Sequence, residues 1–257
     1  SYSPDTGLVY VPAQEIPWIY EGDDNFVYNR DTWNTGTNIA AAAAPEVEAE
    51  RDALLKLVRG HVSAWDPVKQ QERWRIQHEG PWNGGILSTA GNLIFQGNAT
   101  GQFVAYSADE GKQLWSFPAQ TGIVAAPITY RVDGEQYVAV MAGWGGSFAL
   151  GGGDAAERNK VRNVSRLLTF KLGGQDSLPE LEEQKLIIDP PAQTADAATI
   201  AKGKQLFFDT CAVCHGDGAV GGGVTPDLRA QPPEKFDLWL GVVRGGMHKE
   251  RGMVSFA

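Results

Sequence analysis

Apolar positions in the first two thirds of the chain alternate over short runs that glycine, asparagine and aspartate interrupt. Such runs predict β-strands joined by tight turns, and strands at this regular pitch indicate a sandwich, a barrel or a propeller. The predicted strands are 8–12, 92–97, 101–106, 112–117, 126–130, 135–141 and 166–172. The exception is 44–60, where Glu, Ala, Leu and Arg predict a helical insertion.

An internal repeat favours the propeller. Residues 64–74 and 105–115 each begin with alanine and end with tryptophan. The closing residues, Trp74 and Trp115, are separated by about forty positions, which is close to the length of one four-stranded blade. A large ring at a fixed place in each blade suits packing against the neighbouring blade. We therefore predict the blades of a β-propeller.

The C-terminal part contains a C-x-x-C-H sequence formed by Cys211, Cys214 and His215. This spacing lets two thiols bind the vinyl groups of one haem while the adjacent imidazole reaches the iron. A redox dithiol or half of a zinc site is the alternative, but zinc would need a second ligand pair and the chain has 2 cysteines. We predict haem c.

A sixth iron ligand completes such a centre, and a thioether raises the haem potential. Met253 is our favoured ligand, because 252–256 occupies the position of the methionine loop of the class I cytochromes c that this region resembles. His248 is the first alternative and Met247 the second, and simple packing of Met253 near the haem stays open. Met141 lies in a strand-like run and is expected in the core.

The predicted domains are 1–174 (propeller blades), 175–198 (a linker rich in Pro and Glu) and 199–257 (a small helical cytochrome c domain). The isolated histidines His61 and His78 are expected to be surface or hydrogen-bonded residues and not metal ligands. The net charge of −9, without a basic cluster, argues against binding to nucleic acid or to an anionic membrane surface. Thioether-bound haem indicates a periplasmic protein.

Taken together, these features resemble the quinohaemoprotein alcohol dehydrogenases. The Ala-to-Trp units are similar to the tryptophan docking motifs of their eight-bladed propellers, and the C-x-x-C-H domain to their fused cytochrome. The resemblance covers essentially the whole chain and implies only the last blades of such a propeller. It also implies a pyrroloquinoline quinone (PQQ) pocket to which Trp82, Asn83, Trp144 and Gly145 contribute. A role for either tryptophan in blade docking or in the core stays open.

The resemblance further implies parts that this sequence lacks. The calcium ligands and the catalytic base of the family lie in an N-terminal half without counterpart here, so we assign no catalytic residue. The helix that usually follows the methionine loop is also missing, and both ends are expected to be truncated relative to the family.

The implied function is oxidation of alcohols at PQQ, with intramolecular electron transfer to haem c and onward to an external acceptor, such as a small redox protein or a quinone. The alternative is a cytochrome-propeller protein that carries electrons or binds a partner without oxidising alcohol itself. Membrane association is expected only within a multisubunit complex.

Overall fold

The computed structural model describes residues 1–28, 30, 34–45, 47–145, 161, 163–182, 186–221 and 225–256. The strands are β1 (Tyr2–Ser3), β2 (Leu8–Glu15), β3 (Arg59–Asp66), β4 (Gln71–His78), β5 (Ile86–Thr89), β6 (Leu93–Gly97), β7 (Gln102–Ser107), β8 (Gln113–Pro118), β9 (Ile128–Val132), β10 (Glu135–Ala142) and β11 (Arg166–Lys171). The α-helices are α1 (Glu48–Leu55), α2 (Ala197–Thr210), α3 (Ala212–His215), α4 (Pro233–Asp237) and α5 (Trp239–Val243). Short 3₁₀ segments lie at Ile39–Ala42, Asp217–Ala219, Leu228–Ala230 and Lys249–Arg251.

The strands form three antiparallel sheets in which chain neighbours pair with each other. Their orders are β1-β2-β3-β4, β5-β6-β7-β8 and β11-β10-β9. Successive meandering sheets of this kind are propeller blades, and the prediction of a mainly β fold with propeller blades is confirmed. The predicted helical insertion is α1, which lies between β2 and β3.

The two Ala-to-Trp units have the same geometry. Ala64 pairs with Trp74 and Ala105 pairs with Trp115, and in each ladder the register shifts directly after the alanine. Trp74 then packs against Gly111 of the next blade, where an added Cβ would lie 2.7 Å from the indole ring. The repeat is therefore a docking device between neighbouring blades.

Apolar side chains fill both spaces between the blades. One cluster joins the first and second sheets through residues that include Leu8, Tyr10, Val62, Ile94 and Val104. The other joins the second and third sheets, where the rings of Phe103 and Phe170 stack with centroids 5.1 Å apart. The Tyr10 hydroxyl also donates to the Ala108 carbonyl at 2.9 Å and so ties the first blade to the second.

The third sheet corrects one expectation. Met141 lies in β10 as predicted, but it is 62% exposed and not in the core. Val138, Val140 and Ala142 are on the buried side of this strand, and the alternation of strand side chains turns Met141 to the opposite face.

Two contacts outside the sheets fix the later part of the chain. Leu178 packs against the cluster between the second and third blades, and the Pro179 carbonyl accepts from Gln120 Nε2 at 3.1 Å. Helix α2 then begins at Ala197, where the Asp196 carboxylate accepts from the Thr199 amide at 2.7 Å. Among the described residues, none of the helices is both long and apolar enough to cross a membrane.

Candidate functional site

The structure brings together two of the residues predicted for the quinone pocket. Trp82 and Trp144 are far apart in sequence, yet they share one buried cluster with Ala99. Trp82 lies where the chain enters the second blade before β5, and Trp144 follows β10 of the third blade, so the cluster joins two neighbouring blades. Their assignment as quinone contacts stays a prediction, but a shared site for them is observed.

Trp82 carries an unused donor. Its side chain is buried, and within the described residues its Nε1 has no hydrogen-bond partner. A buried N–H without a partner costs free energy, so such a group favours a ligand that supplies an acceptor. A quinone or carboxylate oxygen of PQQ is an acceptor of this kind, and the site therefore fits the group.

Trp144, by contrast, is held by the protein. Its Nε1 donates to the Val161 carbonyl and its backbone amide to Asn163 Oδ1, both at 2.9 Å. The indole packs on Gly122, where a Cβ would approach within 2.4 Å. Gly145, the next residue, has open space where a Cβ would be. The indole of Trp144 is thus held in one position, next to the open backbone of Gly145.

Asn83 is engaged in the same way. Its Nδ2 donates to the Gly80 carbonyl at 2.7 Å, and its Oδ1 accepts from the Ala99 amide at 3.1 Å. It fits beside Gly60, where an added Cβ would lie 2.6 Å from Nδ2. Asn83 therefore binds its own loop to the second blade through Ala99.

Sequence reasoning missed the buried polar pair behind this loop. The His78 ring lies 2.9 Å from Gln96 Oε1, and Gln96 Nε2 donates to the Gly84 carbonyl at 2.9 Å. His78 is hydrogen-bonded, as one of the two options expected, but Gln96 carried no sequence signal. A glutamine in an apolar strand is recognisable as a partner only once the fold sets it beside the histidine.

The second part of the site is the turn that carries the C-x-x-C-H sequence. Helix α2 ends at Thr210, Cys211 caps it, and His215 closes the single turn of α3. Both thiols are free. Burial, and secondarily Cys214, raise the pKa of Cys211. A raised pKa favours the protonated thiol, whereas the reactive cysteine of a redox dithiol has a lowered pKa.

His215 has the properties of an iron ligand. Burial lowers its pKa, against an opposing interaction with the Pro226 backbone, and so favours the neutral imidazole that binds metals. Its Nδ1 is buried and has no hydrogen-bond partner among the described residues. Among the described residues, no group of three or more His, Cys, Asp or Glu side chains is arranged to hold a metal ion by itself.

The apolar residues of this domain indicate what is needed to complete it. Phe208, Ala212 and Val220 are its buried hydrophobic residues among those described. Several large side chains of the same domain remain exposed, namely Leu206, Leu238, Trp239, Leu240, Met247 and Val254. A domain this small requires a further apolar group to form a core, and a haem supplies one. The residues present therefore fit haem c.

The segment with Met253 is tied back to α5. The Phe256 amide donates to the Val243 carbonyl at 2.9 Å, and Ser255 Oγ to the Arg244 carbonyl at 2.8 Å. Met247 is 55% exposed and its sulfur packs where a Cβ on Gly241 would lie. Met253 and His248 are both half-buried. The choice of Met253 as the sixth ligand stays a prediction.

Comparison with known proteins gives the same two parts. Residues 49–138 match the family model of the glucose/ethanol/alcohol dehydrogenase β-propeller domain, and residues 200–253 match that of cytochrome c. The whole chain is 44% identical to quinohemoprotein alcohol dehydrogenase ADH IIB of Pseudomonas putida, covering 36% of that protein. The chain matches part of the quinohaemoprotein alcohol dehydrogenases over its whole length.

Solved structures extend the match to the fold. The quinohemoprotein alcohol dehydrogenase ADHIIG of Pseudomonas putida HK5 superposes with a TM-score of 0.88 at 41% identity, over 100% of this chain and 37% of that one. The quinohemoprotein alcohol dehydrogenase of Comamonas testosteroni superposes with a TM-score of 0.76 at 36% identity, over 100% of this chain and 37% of that one.

A further sequence relative is the dehydrogenase subunit of the alcohol dehydrogenase (quinone) of Gluconobacter oxydans (strain 621H). It is 44% identical over 95% of this chain and 32% of its own length.

These quinohaemoprotein relatives are longer than the chain. The chain spans about a third of the length of the curated relatives it matches. It contains a fragment of a PQQ-type propeller followed by a cytochrome c domain.

Proposed function

We propose that the protein to which this chain belongs oxidises alcohols with PQQ and passes the electrons through haem c to an external acceptor. The observation that supports the proposal is that features suited to each of the two cofactors lie in one chain. The buried Trp82–Trp144 cluster has an unused donor, and a second domain has the C-x-x-C-H turn. Relatives matched over the whole chain are named as alcohol dehydrogenases of this type.

The residues of the chain divide this work between them. When bound, PQQ supplies the oxidation of the alcohol carbon, and haem c supplies one-electron transfer onward. Trp82 would offer its buried N–H to an acceptor oxygen, and the indole of Trp144, held by its bond to the Val161 carbonyl, would form a flat wall beside the quinone. Cys211 and Cys214 would hold the haem covalently, and His215 and Met253 would bind its iron. Calcium and the catalytic base would come from the part of the protein outside this chain.

Partners and location belong to the same proposal. The substrate class is a small alcohol, and the acceptor is a small redox protein or a quinone. Membership of a multisubunit membrane complex would be the basis of any membrane association. Thioether attachment of haem supports a periplasmic location.

A dye-linked assay tests the proposed activity. Haem-containing protein freed of PQQ is expected to reduce an artificial dye with a primary alcohol only after PQQ and calcium are restored. A protein with intact haem c that shows no PQQ-dependent oxidation of any alcohol would favour the alternative, a cytochrome-propeller electron carrier.

A further inference from the structure

The buried pair His78 and Gln96 connects two blades to the loop of Trp82. His78 ends β4 in the first blade, Gln96 lies in β6 of the second, and their exposed fractions are 8% and 1%. Gln96 pairs with Ile86 in the sheet, and its side chain donates to the carbonyl of Gly84, two residues before Ile86. The pair therefore acts on the segment that crosses from one blade to the next.

The chemistry of the pair fixes its orientation. A backbone carbonyl only accepts, so the Gln96 amide must turn its NH₂ group towards Gly84 and its oxygen towards His78. His78 Nε2 must then carry the hydrogen and donate to Gln96 Oε1. Burial lowers the pKa of His78, which favours the neutral form of this ring. One carbonyl thus determines the amide orientation and the imidazole tautomer.

Other polar groups of the crossing segment, residues 80–84, are also hydrogen-bonded. The Gly84 amide donates to the Gly97 carbonyl at 2.8 Å, and both polar atoms of the Asn83 side chain are bonded. Trp82 Nε1 alone among the side-chain donors of residues 80–84 has no partner. The bonds of Asn83 and Gly84 fix the backbone directly after Trp82.

We propose that His78 and Gln96 are positioning residues that set the Trp82 N–H for binding of PQQ. The proposal rests on the proposed function, because it presumes that PQQ is the ligand of this cluster. A leucine in place of Gln96 would fill a similar volume without the cost of burying an amide. A buried, fully satisfied polar pair instead specifies one arrangement of the loop.

Equilibrium binding of PQQ to the haem-containing protein, followed by quenching of tryptophan fluorescence, tests the proposal. Gln96→Leu is expected to raise the dissociation constant about tenfold, the effect of losing one well-made hydrogen bond. His78→Gln, whose amide can still donate to Gln96, is expected to stay within about threefold of the parent protein. Tyr10→Phe is the control, because it also removes a buried bond between blades.

Tyr10→Phe is expected to lower the unfolding midpoint without changing PQQ affinity. An unchanged dissociation constant in Gln96→Leu, or an equal loss in Tyr10→Phe, overturns the positioning role while leaving the proposed function intact. If the parent protein itself binds no PQQ, the proposed function fails, and the positioning role fails with it.

Discussion

Among single residues, Gly111 and Gly134 allow backbone strain to be measured separately from the packing of one blade on the next. Both have left-handed backbone angles, with φ of +70° and +83°. A Cβ on Gly111 would meet the Trp74 indole at 2.7 Å, whereas nothing lies within 4 Å of one on Gly134. Gly134→Ala therefore reports backbone strain alone, and Gly111→Ala reports strain together with lost docking.

We expect Gly134→Ala to destabilise the protein by about 1 kcal/mol, the cost of a left-handed alanine. Gly111→Ala should cost about 1–3 kcal/mol more, because the ring must move. Urea unfolding followed by tryptophan fluorescence gives both values. Equal losses in the two variants would mean that the Trp74–Gly111 contact does not hold the blades together.

Trp82 can be tested against a second tryptophan of the same kind. Trp74 Nε1 is also buried and has no partner among the residues that the structure describes, but it lies in the docking motif and not in the predicted quinone pocket. Trp82→Phe is expected to weaken PQQ binding about tenfold, and Trp74→Phe to leave it unchanged. Isothermal titration with PQQ measures both, and equal effects would remove Trp82 from the pocket.

The sequence indicates some of these residues and not others. The Ala-to-Trp repeat points to Trp74 and Trp115, because the same residues recur at the same spacing. The resemblance points to Trp82 and Trp144, which the fold then places in one cluster. Gln96 has no such signal, since its role depends on the Gly84 carbonyl, whose position is set by the crossing between blades.

At the scale of elements, the capping of α2 makes a pH-dependent prediction. The Asp196 carboxylate accepts from the Thr199 amide, and this bond is the main cause of the lowered pKa of Asp196. A lowered pKa means that the cap stabilises above the ordinary value of 3.8 and is lost as pH falls through the folded value.

Asp196→Ala should therefore lower the thermal midpoint of the haem domain at pH 7, and this difference should shrink in acid below pH 3.8. Circular dichroism at the two pH values measures the change. Asp209→Ala is the control, because Asp209 lies at the other end of α2 and caps no backbone amide there. A difference that persists unchanged in acid would contradict the capping role.

The positions of strands and helices can be predicted from the sequence more readily than which of their side chains are buried. The β11 strand, predicted as 166–172, is Arg166–Lys171, and the helical insertion is α1. Periodicity and turn residues are local, so they survive without tertiary information. Met141 shows the limit, because the strand was predictable but the face it turns to the core depends on the neighbouring blade.

At the scale of the whole molecule, the haem domain is joined to the propeller by more than its linker. The Ala44 amide donates to Asp217 Oδ2 at 2.5 Å, and the 3₁₀ segment Ile39–Ala42 packs near α2. Asp217 lies two residues after His215, so this bond holds the haem-binding turn against a loop of the first blade. The order of the chain gave no sign of this contact.

Removal of this bond should loosen the loop. Asp217→Ala is expected to speed hydrogen exchange of the Ala44 amide about tenfold, because one hydrogen bond no longer protects it. Asp217→Asn keeps an acceptor oxygen and is expected to exchange at nearly the parental rate. Mass spectrometry of peptides covering 36–45 measures this exchange. Equal rates in the parent protein and in Asp217→Ala would show that the bond between Ala44 and Asp217 is absent in solution.

The proposed function requires that the propeller site and the haem site form one electron-transfer circuit. An anaerobic visible spectrum of the native protein with PQQ and calcium, recorded before and after addition of a short primary alcohol, tests this circuit. We predict that the sharp α band of reduced haem c grows on addition of alcohol. Appearance of that band with dithionite but with no alcohol would contradict the claim and leave a haem protein without its own alcohol oxidation.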